Sequence, residues 1–185
     1  MLTGKKIVLG VSGGIAAYKM ANVASMLSKL HADIHVVMTE NATHFITPET
    51  FEVLTGNHCY TDTFDRCMEL HVPHIALGTQ ADAILIAPAS ADVVGKIANG
   101  IADDMLTTCV LPATCPVMLA PSMNVHMYEN PIVQDNMKKL ASYGYEIIEA
   151  DEGYLACRDI GKGKLPPEHV LVYYPCLRNG QRPCR

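Results

Sequence analysis

The predicted fold is α/β, a parallel sheet covered by helices on both faces, and three observations predict it. Residues 7–11, 34–38, 83–87 and 117–120 are short apolar runs without polar alternation, as expected of strands buried on both sides. Helix-spaced apolar residues separate them, and strands alternating with helices imply parallel pairing. Two of the runs also end alike, in Leu85-Ile86-Ala87-Pro88-Ala89-Ser90 and Met118-Leu119-Ala120-Pro121-Ser122-Met123. Ligands of open parallel sheets bind outside the carboxyl ends of the strands, so these two ends are expected to line one site.

Taken in order, residues 7–11 read as the first strand. A helix over 15–30 follows, with Ile15, Tyr18, Val23, Met26, Leu27 and Leu30 at helical spacing. Residues 34–38 form a second strand closed by Thr39-Glu40-Asn41, and 50–54 a weak helix. The strand over 83–87 stops at Pro88, where the backbone loses a donor. A helix over 91–99 is capped by Gly100. Another over 102–111 carries Asp103 and Asp104 in its first turn, beside the positive end of the helix dipole. The strand over 117–120 stops at Pro121. Asn130-Pro131 then supplies an N-cap and a first-turn proline for a helix to about Ser142, and 145–148 is the last strand.

A chain of 185 residues that is 49% hydrophobic buries one sizeable core, so one domain over 1–172 is expected. Residues 173–185 show no usable pattern and are expected to form a tail without order. The net charge of -5 and the absence of a long basic run argue against a nucleic-acid partner. No apolar stretch approaches the length of a membrane span. Lys5-Lys6 and the apolar residues after it imitate a signal peptide, but Ser12-Gly13-Gly14 interrupts them and a helix follows at once. Seven scattered cysteines suit the reduced thiols of a cytosol better than a disulfide framework, so a cytoplasmic protein is expected.

The motifs carry chemistry of different specificity. Gly10-Val11-Ser12-Gly13-Gly14-Ile15 joins the first strand to the first helix. Its glycines let a phosphate approach the backbone, and the helix start supplies N–H donors. The spacing is not that of a dinucleotide fingerprint, which favours a mononucleotide, although Glu40 stands where a ribose-binding acid would stand. Ser12 and Thr39 offer small hydroxyls for a monophosphate. Ser90-Ala91-Asp92 by itself reads better as a plain helix cap and gains interest from its place after a strand that ends at Pro88, and Asn124 reads equally as a cap or a polar ligand group. His71 and His74 with Cys59 and Cys67 match no standard zinc spacing, and no metal is expected. His74 precedes the strand at Ala83 and is a candidate base. Cys157 lies among Gly153, Gly161 and Gly163, with Arg158, Lys162 and Lys164 near enough in sequence to favour a thiolate. Glycines on both sides would let that loop close over a site.

These segments resemble the flavin-containing cysteine decarboxylases. Residues 88–106, Pro88-Ala89-Ser90-Ala91-Asp92 through Gly100-Ile101-Ala102-Asp103-Asp104-Met105-Leu106, resemble their P-A-S-A-N…G-x-A-D-x-L-L segment. Pro121-Ser122-Met123-Asn124, Met127 and Asn130-Pro131 resemble P-x-M-N-x-x-M-x-x-N-P. Ala156-Cys157 followed by Gly161 and Gly163 resembles the A-C-G-x-x-G-x-G loop of the phosphopantothenoylcysteine decarboxylases. The match runs from about Lys5 to Lys164.

The resemblance implies a Rossmann-like, flavodoxin-type three-layer domain that binds FMN. It implies homotrimers or dodecamers of trimers, with active sites between subunits. Gly13, Gly14, Ile15, Thr39, Ser90, Ala91, Asp92, Val93 and Ser122 are then expected to hold FMN. His74 is expected as catalytic base, Asn124 as the group on the substrate carboxylate, and Cys157 as proton donor. Met127, Leu155 and Ala156 are expected on the substrate side. Three departures stand out: Asp92 for the family's Asn, Arg158 for Gly, and Lys164 for Arg.

The implied chemistry accounts for these residue types. A simple amino-acid carboxylate leaves poorly, because the carbanion left behind has no electron sink. Oxidation of the cysteinyl C–S unit creates one, and loss of carbon dioxide gives an enethiolate. Phosphopantothenoylcysteine enzymes go on to the reduced product and need an acid to protonate carbon, which the loop cysteine supplies. The expected reaction is decarboxylation of phosphopantothenoylcysteine to 4'-phosphopantetheine. A peptidyl-cysteine decarboxylase and a non-catalytic FMN-binding regulatory subunit are the alternatives. No synthetase segment follows in these residues, and the ligase is expected to be a separate protein.

Overall fold

A computed structural model describes residues 2–64, 72–156 and 158–178. The chain opens with β1 (Lys6–Val11), a 3-10 turn at Ile15–Lys19 and α1 (Met20–Lys29), then β2 (Asp33–Met38) and a second 3-10 turn at Glu40–His44. There follow α2 (Pro48–Thr55), β3 (Cys59–Tyr60), α3 (Pro73–Gln80), β4 (Ala83–Ala89), α4 (Ala91–Ala98), α5 (Met105–Val110) and β5 (Val117–Pro121). The last part holds α6 (Val125–Glu129), α7 (Pro131–Ser142), β6 (Glu146–Ile147), the hairpin β7 (Asp151–Tyr154) and β8 (Ile160–Lys164), and α8 (Glu168–Arg178).

The main sheet has the order β3-β2-β1-β4-β5-β6 and every pairing in it is parallel. The winding therefore reverses between β1 and β4, the point where doubly wound sheets hold their ligands. Alternate residues of the central strands enter opposite cores. Ile7, Leu9, Leu85 and Met118 pack with Met20, Val23, Leu27, Phe51 and Leu171 of α1, α2 and α8. Val8, Ile84, Ile86 and Leu119 pack with Leu77, Val94, Leu106 and Leu140 of α3, α4, α5 and α7. This is the three-layer α/β architecture expected from the unalternating apolar runs.

Several local expectations are corrected. The helix expected over 15–30 begins as a 3-10 turn, because Gly14 at its start is extended and no side chain caps it. The strand expected to stop at Pro88 continues to Ala89; proline has no N–H for the ladder, and the register shifts between Ile86 and Ala89. The helix expected over 102–111 spans Met105–Val110. Asp104 lies outside it as an extended N-cap, accepting the Thr107 N–H at 2.8 Å while the Thr107 hydroxyl takes the Asp104 N–H at 3.3 Å. Gly100, at φ +67, ends α4 as expected, with Ile101 N–H on the Lys96 carbonyl and Gly100 N–H on that of Ile97.

The sequence reading passes over β3, α3, α6, the hairpin and α8. In α3 the large buried side chain is Leu77, so no apolar stripe marks it. The hairpin strands are mostly exposed and have no apolar face to detect. In α8 Pro175 lies inside the helix, yet Leu171, Val172 and Cys176 are buried. The expected boundary at 172/173 thus falls within a helix packed on the core, and residues 173–178 are not a tail without order. Residues 179–185 lie outside the described part.

Asp82, just before β4, receives the Lys6 N–H at 2.9 Å and the Lys5 ammonium at 2.8 Å. The Lys5 and Lys6 hydrogen bonds hold its carboxyl below the ordinary aspartate value of 3.8. A depressed carboxyl contributes stability above its unfolded pKa and loses it as pH falls through the folded value. Asp82→Asn is therefore expected to lower Tm at pH 7 by roughly 2–3 °C, a surface-pair magnitude. The variant and the parent should converge as pH falls below the ordinary aspartate value of 3.8 and through the depressed folded value, as thermal melts across acid pH will show.

Candidate active site

At the reversal between β1 and β4 the two strand ends are joined through Ser12, which is fully buried. Its hydroxyl donates to the Pro88 carbonyl at 2.7 Å and accepts the Ser90 N–H at 2.8 Å. The sequence reading offers this hydroxyl to a monophosphate; the structure commits it to the protein's own backbone. Ser90 in turn caps α4, accepting the Val93 N–H at 3.3 Å.

A cleft of about 280 Å³ opens outside the carboxyl ends of β1, β4 and β5. Gly13, Gly14, Ile15 and Ala16 line it from the first strand end, and Ser90 and Ala91 from the second. Ser122, Met123, Asn124 and Met127 come from β5 and α6, and Leu155, Ala156 and Gly163 from the hairpin. Six of the expected cofactor residues and all of the expected substrate-side residues meet here. Ala16, Met123 and Gly163 are additions that no side-chain chemistry in the sequence signals.

Other expected residues do not line this cleft. Thr39 follows β2, and its buried Oγ1 has no hydrogen-bond partner among the described residues. A buried hydroxyl left unmet costs about 1–3 kcal/mol, so it is the donor in this region that a phosphate or ribityl oxygen would satisfy. Val93 is buried and its N–H is taken by Ser90. Asp92 turns to Lys96, whose ammonium also meets Asp103 and Asp104, all three within 3.0–3.3 Å. Partial burial opposes the charge on Lys96, but hydrogen bonds to Asp103, Asp104 and Asp92 outweigh it and hold the ammonium above its usual pKa. The carboxylate that replaces the family's Asn is thus ion-paired on the helix. His74 is the second residue of α3, with Nδ1 buried and unpartnered among the described residues. Cys157, and Cys67 and His71 of the weighed metal set, lie outside the described residues. No group of three or more metal-ligating side chains occurs among the described residues.

The hairpin is seated by close backbone approach. A Cβ on Gly163, at φ +134, would fall 2.4 Å from the Met123 carbonyl oxygen, and one on Gly161 would fall 2.5 Å from Val125 Cγ2. Gly163 C=O accepts the Met123 N–H at 3.0 Å. These glycines, expected to give the loop freedom to close, are required where β8 presses on the end of β5. The turn between the strands is tied by Leu155 N–H to the Asp159 carbonyl and Arg158 N–H to the Leu155 carbonyl, both at 2.9 Å. Arg158 has φ +70, the left-handed region. Glycine would adopt this conformation freely; arginine does so at about 1–2 kcal/mol. Lys162, expected to favour a thiolate, is paired with Glu149.

The family model described as Flavoprotein matches residues 1–178. The chain is 49% identical over 172 residues, 92% of its length, to the coenzyme A biosynthesis bifunctional protein CoaBC of Bacillus subtilis, and covers 42% of that protein. It thus spans less than half the length of this and similar curated bifunctional relatives. It is 44% identical over 170 residues to a probable phosphopantothenoylcysteine decarboxylase of Streptococcus mutans, covering 91% of this chain and 95% of that one. Among solved structures, a PPC decarboxylase mutant complexed with pantothenoylaminoethenethiol superimposes with TM-score 0.86 at 28% identity, covering 96% of this chain and 99% of that one. The FMN-dependent cysteine decarboxylase SpaF does so with TM-score 0.80 at 35% identity, covering 93% and 98%.

The two glycines after Ser12 are expected to behave differently. A Cβ on Gly13 would fall 2.4 Å from Asn41 Cβ, whereas one on Gly14 would have only Pro88 Cγ within reach, at 4.0 Å. Gly13→Ala should cost about 1–3 kcal/mol of stability through overpacking. Gly14→Ala should leave the thermal midpoint near that of the parent and instead weaken retention of the flavin expected in the cleft. Paired melts and flavin titrations separate the two; equal destabilisation by both would contradict the assignment.

Proposed function

The chain belongs to the flavoprotein family, and on that footing we propose that it decarboxylates 4'-phosphopantothenoylcysteine to 4'-phosphopantetheine with FMN, in coenzyme A biosynthesis. The observation that carries the reading is the meeting of Asn124 and the Leu155–Ala156 turn with the Gly13-Gly14 and Ser90-Ala91 loops in one cleft. The substrate side and the cofactor side of a flavin decarboxylase then face each other. The residues present fit FMN: Thr39 offers an unmet buried hydroxyl, and no side chain caps the turn that starts after Gly14.

When bound, FMN supplies the reversible two-electron oxidation of the cysteinyl C–S unit that the departing carboxylate requires. The chain's own residues do the rest. Asn124 orients the substrate carboxylate at the end of β5. Leu155 and Ala156 cover it and exclude water. His74 takes the proton that leaves the cysteinyl unit, and Cys157 returns one to carbon after carbon dioxide has gone. His74 is not among the cleft-lining residues, so in this reading it enters from a neighbouring protomer, in keeping with a homotrimer or a dodecamer of trimers. A peptidyl-cysteine substrate is the second reading, favoured by the likeness to a cysteine decarboxylase from thioviridamide biosynthesis, TM-score 0.73 at 31% identity.

Cys157→Ser is expected to separate the two halves of the reaction. A serine hydroxyl is a far weaker acid than a thiol, and carbon dioxide loss does not need its proton. The variant should release carbon dioxide and accumulate an enethiol product two hydrogens short of phosphopantetheine, seen by mass spectrometry. Ordinary phosphopantetheine at the parent rate would remove Cys157 as the acid.

His74→Asn is expected to abolish turnover with FMN still bound. Asn124→Asp should do the same, since like charges about 4 Å apart cost about 4 kcal/mol at an effective dielectric of about 20. Mixing the two inactive variants under conditions of subunit exchange should restore part of the activity. Persistent inactivity, with exchange verified, would place both residues in the site of a single protomer.

A further inference from the structure

Asn124 is held at both ends of its carboxamide. Its Oδ1 accepts the His126 N–H at 2.8 Å, and its Nδ2 donates to Asp159 Oδ2 at 2.9 Å. A backbone N–H can only donate and a carboxylate can only accept, so the two partners together permit one orientation of the amide. The amide is planar, so fixing its oxygen on the His126 N–H and its nitrogen on Asp159 fixes its plane.

Asp159 is itself held. Its carbonyl accepts the Leu155 N–H at 2.9 Å, which makes it the closing residue of the turn that carries Leu155 and Ala156 into the cleft. The strand that follows is seated on residues 123–125 through Gly161 and Gly163. The carboxylate thus joins the substrate-covering turn to the end of β5 across 35 residues of sequence.

We propose that Asp159 is a positioning residue for the decarboxylation: it fixes the orientation in which the Asn124 amide meets the substrate carboxylate, and does so only when the hairpin is seated. The proposal rests on the reading of Asn124 as the group that binds that carboxylate. It makes seating of the hairpin and readiness of Asn124 a single event. It also makes Asp159 matter for ligands with the carboxyl group and not for those without it.

The test compares Asp159→Ala and Asp159→Asn with the parent, all loaded with FMN. Asp159→Ala should lower kcat/KM for phosphopantothenoylcysteine by about 10-fold or more, the loss expected for a hydrogen bond to a charged group. It should leave the inhibition constant for 4'-phosphopantetheine, which lacks the carboxylate, unchanged. Asp159→Asn keeps an acceptor oxygen and should recover part of the loss. Added to Asn124→Ala, Asp159→Ala should cost nothing further, because the two groups act as a unit. Equal weakening toward substrate and product, or additive losses with Asn124→Ala, would overturn the proposal and leave Asp159 a seat for the hairpin. A parent inactive on this substrate would sink the functional reading alone. The side-chain amide ¹⁵N–¹H signals of Asn124, assigned by their absence in Asn124→Ala, then decide the positioning: they should shift in Asp159→Ala, and unmoved signals would overturn it.

Discussion

The site hangs on a single buried hydroxyl. β1 and β4 are neighbours whose chains wind away in opposite directions, and past their paired residues a single long backbone bond, Ser12 N–H to the Pro88 carbonyl at 3.3 Å, holds the ends side by side. Ser12 does this by donating to the Pro88 carbonyl and accepting the Ser90 N–H, with no exposure to water. Removing that oxygen would take away the partner of the Ser90 N–H and leave the Pro88 carbonyl only the Ser12 N–H at 3.3 Å; losing the partner of a buried donor costs more than the bond itself contributes. The Gly13-Gly14 loop follows directly on one side and the α4 cap on the other. Both walls of the cofactor side are thereby positioned by one side chain that is not itself offered to the ligand.

The hairpin side of the cleft is built on different physics. β7 and β8 bury little apolar surface, and the hairpin is held by backbone contact at Gly163, close approach at Gly161 and the Asp159–Asn124 hydrogen bond. Such an element opens at far lower free energy than the core unfolds. A rigid wall facing a lightly held cover suits the proposed reaction, which must admit a charged substrate and then exclude water.

Charge near the site is balanced locally. Asp92, Asp103 and Asp104 converge on Lys96, which ties the first turn of α4 to the segment that caps α5. The substitution of an acid for the family's Asn therefore changes the surface network more than the cleft. Arg158 is the departure with a backbone consequence, since it holds a left-handed conformation that glycine adopts without strain.

How much was legible follows from which forces leave a periodic mark. Burial on both sheet faces did: Ile7 to Val11, Ala83 to Ala87 and Val117 to Ala120 were readable as strands, and the twin Ala-Pro endings placed the ligand edge. The helix cap at Asn130 and the stop at Gly100 were readable because capping chemistry is local. The hairpin was not, because it is placed by the absence of Cβ atoms at Gly161 and Gly163 against a segment nearly forty residues earlier. The double duty of Asn124, capping α6 while bonded to Asp159, was invisible for the same reason. The commitment of Ser12 to Pro88 and Ser90 was also a tertiary decision, since a small hydroxyl after a strand reads alike whether it faces a ligand or a neighbouring loop. The sequence by itself determined the layers and the edge of the sheet where the cleft opens, because hydrophobic periodicity and capping act within a few residues. Only the tertiary structure decided which polar groups face the cleft and which are consumed by the fold, because hydrogen-bond partners distant in sequence are chosen by packing.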